Sequence, residues 1–117
     1  MTMAAQDSPL KVGLIGFGAI GRSVAALLPA SVALGVLTRS SPADLRVGAE
    51  ALADVDALLG WGPDVVIEAA SAEAFASAAP ACLARGIDVV AASVGALQDS
   101  ALLERIVALC DETGSRL

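Results

Sequence analysis

The apolar run at residues 10–15 (LKVGLI) passes directly into Gly16-Phe17-Gly18-Ala19-Ile20-Gly21, and residues 19–28 (AIGRSVAALL) then continue in a helical pattern stopped by Pro29. A G-x-G-x-x-G turn between a strand and a helix has a specific physical meaning. Gly16 allows the tight turn, Gly18 lets the backbone approach a bound pyrophosphate, and Gly21 lets helix and strand pack closely. The unpaired N–H groups of the helix start, at the positive end of its dipole, then hold phosphate oxygens. In a chain with 11 glycines the spacing alone says little. Its place between a strand and a helix gives it weight, and the expected ligand is a dinucleotide.

The rest of the chain repeats the alternation. Residues 32–37 (VALGVL) read as a second strand, 64–69 (DVVIEA) as another and 87–92 (IDVVAA) as the next, each a short apolar run of the kind buried on both faces. Between them, residues 54–59 read as a short helical segment ending at Gly60-Trp61-Gly62-Pro63, and 72–85 as a helix that Pro80 should split or kink before Gly86 stops it. Residues 100–112 (SALLERIVALCDE) form an amphipathic helix with Leu102, Leu103, Ile106, Val107 and Cys110 on one side. The polar stretch 38–49 reads as a loop with a short strand near 45–47, and residues 114–117 as the turn into one more strand. Alternating strands and helices with continuous apolar strands predict an α/β fold: a Rossmann-type, doubly wound parallel sheet with helices on both faces, as a single domain over 10–117 behind a flexible segment at 1–9.

Composition removes several other functions. A formal charge of −6, with seven basic residues scattered along the chain, argues against nucleic acid and against an anionic membrane surface. There is no histidine, and Cys82 and Cys110 have no zinc-type spacing, so no metal site is expected. Both cysteines read as small core-facing hydrophobes. The first eight residues lack the charged and apolar regions of a signal peptide, and no apolar run is long enough to span a bilayer, so a cytoplasmic protein is expected.

Further candidate cofactor contacts follow the strand ends, because ligands of parallel sheets sit outside the carboxyl ends of the strands. After the second strand come Thr38-Arg39-Ser40-Ser41, with no carboxylate until Asp44. An acid at this place would bind the ribose 2′-OH of NAD; Arg39 and Ser40 instead suit a 2′-phosphate, unless they form only a solvated loop. The cofactor is therefore NADP or NAD, with NADP favoured. Ala70 and Ser71, after 64–69, leave room for the nicotinamide side, although Ser71 also fits a helix N-cap. Ser93, Val94 and Gly95 repeat this logic or form an ordinary strand-to-helix turn. Glu68, the one acid inside an apolar strand, reads as a hydrogen-bonded group near the strand end rather than a catalytic base, and Trp61 as a loop anchor against the sheet.

Several blocks resemble the L-aspartate dehydrogenases: GFGAIG (residues 16–21), IEAAS (67–71), GIDVV (86–90), SVGAL (93–97) with Asp99, and TGSRL (113–117). The cofactor domains of aspartate-semialdehyde and homoserine dehydrogenases are similar but fit the later blocks less well. The resemblance implies an oxidoreductase that passes hydride between L-aspartate and NAD or NADP, giving iminoaspartate and then oxaloacetate and ammonia, and it implies a homodimer. In that family a second domain carries the substrate-binding segment and a histidine thought to assist proton transfer. The chain has neither, its sole lysine, Lys11, lies at the start of the first strand, and no catalytic residue can be assigned. The expectation is thus a domain that binds cofactor and does not turn over alone. The alternative is a stand-alone, non-catalytic NAD(P)-binding regulatory module.

Overall fold

In the computed structural model, which describes residues 8–39, 42 and 44–117, β1 (Lys11–Ile15), β2 (Ala33–Leu37), β3 (Glu50–Leu52), β4 (Val65–Glu68) and β5 (Asp88–Ala91) form one sheet in the order β3-β2-β1-β4-β5. Every neighbouring pair is parallel, and the register puts Ile15 beside both Leu37 and Glu68. The direction of chain progression reverses between β1 and β4, so a crevice opens there at the carboxyl ends of the strands. The expected α/β, doubly wound architecture is present.

Among the described residues, four α-helices cover the sheet: α1 (Ala19–Leu27), α2 (Val55–Trp61), α3 (Ala72–Ala84) and α4 (Ser100–Thr113), with a 3-10 turn at Val94–Gln98. One core lies beneath α2, α3 and α4 and contains Leu58, Val66, Phe75, Cys82, Leu83 and Ile106. The other lies beneath α1 and contains Leu14, Ala25, Leu34 and Val36. Glycines in the strands permit this closeness. A Cβ at Gly13 would stand 2.6 Å from the Leu58 side chain, and one at Gly35 would stand 3.0 Å from the Trp61 ring. Trp61 therefore anchors against the sheet as expected, although from the last residue of α2 and not from a loop, and the Lys11 ammonium lies over the same ring and donates to the Trp61 carbonyl.

Several expectations need correction. The short strand lies at Glu50–Leu52, not at 45–47. Residues 45–49 are instead in turns, closed by Leu45 N–H on Pro42 O (3.4 Å) and Ala49 N–H on Arg46 O (3.1 Å), with the Leu45 side chain in the core beneath α1 and Val47 exposed. Helix α2 runs through Gly60 and stops at Gly62, the residue that takes the left-handed conformation needed for a cap (φ 79°). Helix α3 continues unsplit past Pro80, because Phe75, Ala78, Ala79, Cys82 and Leu83 are buried on both sides of it and hold the helix to the core. On α4, only Ile106 is fully buried; Leu103 and Val107 are 40% and 51% exposed, since the stripe is wider than the surface it packs against. Cys82 is buried and Cys110 half-buried, both as free thiols, and burial pushes the Cys82 thiol up to about 11. Residues 114–117 form no strand, although they lie along the edge of β5, where Val89 N–H donates to Arg116 O (2.9 Å) and Arg116 N–H to the Asp88 side-chain Oδ1 (2.8 Å).

The connection from β2 to β3 is a loop fastened by Arg46. Its guanidinium donates to the carbonyls of Ala25 (3.4 Å), Leu28 (3.0 Å), Pro29 (3.1 Å) and Val32 (2.9 Å), closing the carboxyl end of α1 from outside. Replacing Arg46 with Ala should destabilise the chain by about 2 kcal/mol, since the partly buried carbonyls lose a charged donor. Lys should recover less than half of that, because one ammonium cannot span four acceptors. Urea denaturation of the two variants checks this; full stability with Lys would refute the clamp.

Candidate functional site

Three turns meet at the crevice. Gly16, at the end of β1, has φ 96° and donates its N–H to Leu37 O (3.0 Å). A Cβ on it would lie 2.8 Å from Ala70 Cβ and 3.0 Å from Ala69 O, so this glycine is required both by its conformation and by the close β4–α3 turn. A Cβ on Gly21 would lie 2.2 Å from the Gly16 carbonyl oxygen, so α1 can start this near β1 only with glycine there.

Gly18 is different. It is exposed, its φ is −82°, and an added Cβ would meet nothing within 4 Å. Neither strain nor protein packing accounts for a glycine at that place; a group lying against the backbone would. Gly18 is also the N-cap of α1, and it offers no side-chain acceptor. The other three helices are each capped by a side chain, Asp54 on α2, Ser71 on α3 and Asp99 on α4, and α1 has no acid in its first turn. The amides at the start of α1 thus remain for an external anion.

The crevice encloses about 400 Å³. Gly16, Phe17 and Gly18 form its floor, Thr38 and Arg39 one end, and Ala70 and Ser71 the opposite wall, with Ala74 behind. Ala19 and Ile20 lie on the exposed first turn of α1 and Gly21 is buried beneath the turn, so these three shape the floor without lining it. Ser40 lies outside the described residues. Ser71 caps α3 by accepting from Ala74 N–H (3.1 Å), one of its two suggested roles. Ser93, Val94 and Gly95 stand beyond the wall, with Val94 and Gly95 in the 3-10 turn and the Ser93 hydroxyl bonded to Glu68.

Phe17 also borders a second hollow of about 310 Å³ between α1 and the β2–β3 loop. There the Arg22 guanidinium stacks on the Phe17 ring, 4.4 Å from its centroid, and pairs with Asp44. Asp44, the first carboxylate after β2, is therefore engaged on α1. Glu68 is fully buried and hydrogen-bonded at the end of β4, as its setting suggested. Sequence reasoning missed Arg46 and Ala74. Ala74 carried no signal of its own beyond its position one turn into a helix that starts at the crevice.

The residues present suit a dinucleotide. The uncapped α1 start and the open space at Gly18 suit the pyrophosphate, the cation at Arg39 suits an adenosine ribose or its phosphate, and the small residues 70–71 leave width for a second ring. Residues 16–117 match the family described as the homoserine dehydrogenase NAD-binding domain. The chain belongs to that family. The membership implies dinucleotide binding by this NAD-binding domain.

Among curated proteins, the domain is 43% identical over 115 residues to an L-aspartate dehydrogenase of Bordetella pertussis, an alignment covering 92% of this chain and 43% of that protein. It is 36% identical over 107 residues to the L-aspartate dehydrogenase of Archaeoglobus fulgidus, covering 91% of this chain and 44% of that one. In fold it is similar to the crystal structure of aspartate dehydrogenase from Thermotoga maritima (TM-score 0.73, 23% identity, 93% of this chain and 44% of that chain). The chain spans less than half the length of these relatives. No helix among the described residues is long and apolar enough to cross a membrane.

Proposed function

We propose that this NAD-binding domain is the cofactor-holding part of an L-aspartate dehydrogenase, that it prefers NADP to NAD, and that it does not catalyse turnover alone. The observation that carries the cofactor reading is Gly18: the helix start that lacks a side-chain cap is also the one where a missing Cβ leaves open space. In this reading the amides at 18–20 hold the pyrophosphate, Arg39 holds the 2′-phosphate beside Thr38, and Ala70 and Ser71 border the nicotinamide side, with Ser93, Val94 and Gly95 behind them. The bound cofactor supplies the hydride acceptor or donor, while the chain's part is to position it. The engagement of Asp44 by Arg22 supports NADP, because it leaves no described carboxylate beside Arg39 to compete for it or repel a phosphate.

The substrate assignment rests on the 43% identity with the Bordetella protein. The lack of turnover rests on the sequence: there is no histidine, and the ammonium of the sole lysine is held by Trp61. The exposed apolar surface at Leu103 and Val107 of α4, with Leu117 beyond the helix lining the same hollow, supports contact with further protein in the whole enzyme, a homodimer among the arrangements.

Calorimetric titration with NADPH and NADH tests the reading. NADPH should bind about tenfold more tightly, a difference of about 1.4 kcal/mol. Replacing Arg39 with Ala should remove that difference by weakening NADPH alone. Failure to bind either cofactor would overturn the cofactor reading; an unchanged ratio in the variant would overturn the role of Arg39.

A further inference from the structure

The carboxylate of Glu68 is 1% exposed and accepts four hydrogen bonds. Oε2 takes the N–H of Ala70 (2.8 Å), the N–H of Ser71 (3.0 Å) and the hydroxyl of Ser93 (2.8 Å), while Oε1 takes the N–H of Ser93 (2.9 Å). Its backbone joins the same pieces, since its carbonyl accepts from Ala92 N–H (2.9 Å) and the next amide, of Ala69, donates to Ile15 O (2.9 Å). One side chain thus ties the β4–α3 turn, which walls the crevice, to the end of β5, which does not reach it. Burying a carboxylate is costly unless its lone pairs are used, and here the donors come from two separate turns, which the sheet and the packing of Ala96 and Leu97 on the core also hold.

We infer that Glu68 is a positioning residue for the nicotinamide half of the cofactor: through Ser93 it fixes the height of the Ala70–Ser71 wall above the glycine turn. This rests on the cofactor reading given above. The adenosine end, at Thr38 and Arg39, has no contact with this brace, so the two halves of the ligand respond differently when it is loosened. In Glu68→Gln the amide oxygen still serves the Ala70 and Ser71 N–H groups, but the NH2 faces the Ser93 N–H as a second donor.

The test is titration of the full chain with NADPH and with 2′,5′-ADP, the adenosine fragment alone, or with NADH and ADP-ribose if NAD is the preferred cofactor. Glu68→Gln should weaken the whole cofactor about tenfold, and Ser93→Ala about threefold, with the fragment held within twofold of the unmutated chain. Ser93→Thr, which keeps the hydroxyl, should restore affinity, and the double variant should bind no worse than Glu68→Gln alone because both break one brace. Ser93→Ala carries the test if Glu68→Gln fails to fold. A merely structural role would weaken fragment and whole cofactor together; that result, or no effect on either, overturns the inference. So does an unmutated chain that holds the cofactor no better than its fragment. An unmutated chain that binds neither overturns the cofactor reading itself.

Discussion

Replacing Glu68 with Leu is expected to destabilise the fold by roughly 3–4 kcal/mol, the largest loss from any single replacement considered for this chain. Leucine occupies similar space, so the effect comes from the donors it abandons. Four donors point at the carboxylate, and each buried donor left without an acceptor costs about 1–3 kcal/mol. Ala70 and Ser71 lie at the surface, where water replaces part of what is lost, whereas Ser93 is half-buried and must move to find a partner. The sum therefore falls below four full penalties. Urea denaturation gives the loss directly, and the thermal midpoint should drop by roughly 10–20 °C. A loss under about 1 kcal/mol would mean that the turn relaxes freely and that the brace holds little.

Gly21→Ala should rank next, with a net loss of roughly 2–3 kcal/mol. Alanine is the better helix former by about 1 kcal/mol, which works against the effect. Against that stands a contact of 2.2 Å with the backbone oxygen of Gly16, a residue held by its N–H on Leu37 O and with no room for a Cβ beside Ala70. The helix must therefore back away from β1, carrying the amides at 18–20 out of place, and NADPH affinity should fall at least tenfold. Gly18→Ala supplies the contrast. Its Cβ meets no protein atom within 4 Å, so stability should stay within about 0.5 kcal/mol while NADPH affinity falls by a similar factor. Thermal melts with and without NADPH separate the two glycines. Equal losses of stability at both would refute their different roles.

Where the sequence could be read and where it could not follows from how local each feature is. The four longer strands were legible because each is an unbroken apolar run, even the edge strand β5 with its exposed Val90, and the glycine turn because its neighbours in the chain supply its setting. Glu68 stood out as a lone acid in such a run. Strand β3 did not, because three residues with one buried side chain, Leu52, carry no pattern; its existence depends on the edge that β2 offers. The stretch Gly60-Trp61-Gly62-Pro63 marks where α2 ends only as a range, because either glycine is a plausible stop until the backbone chooses Gly62 as the one that turns left-handed. Arg46 was invisible since it binds carbonyls 14 to 21 residues back, and carbonyls have no residue type. At the crevice the sequence supplied the floor and both ends, and it left open whether Ser93 faced the ligand or the protein. The answer depended on Glu68, 25 residues earlier.

The register of β1 has a consequence for how the chain assembles. Lys11 pairs with Ala33 and Val65 with Asp88, contacts between strands that follow one another, roughly twenty positions apart and cheap in loop entropy. Val12 with Val65 is the long closure, and it joins two halves that each contain their own crossover. The seam between those halves is the crevice itself. A molecule bound across it bridges the contacts with the greatest sequence separation, and a ligand that binds only the folded chain stabilises both halves together as its concentration exceeds its dissociation constant.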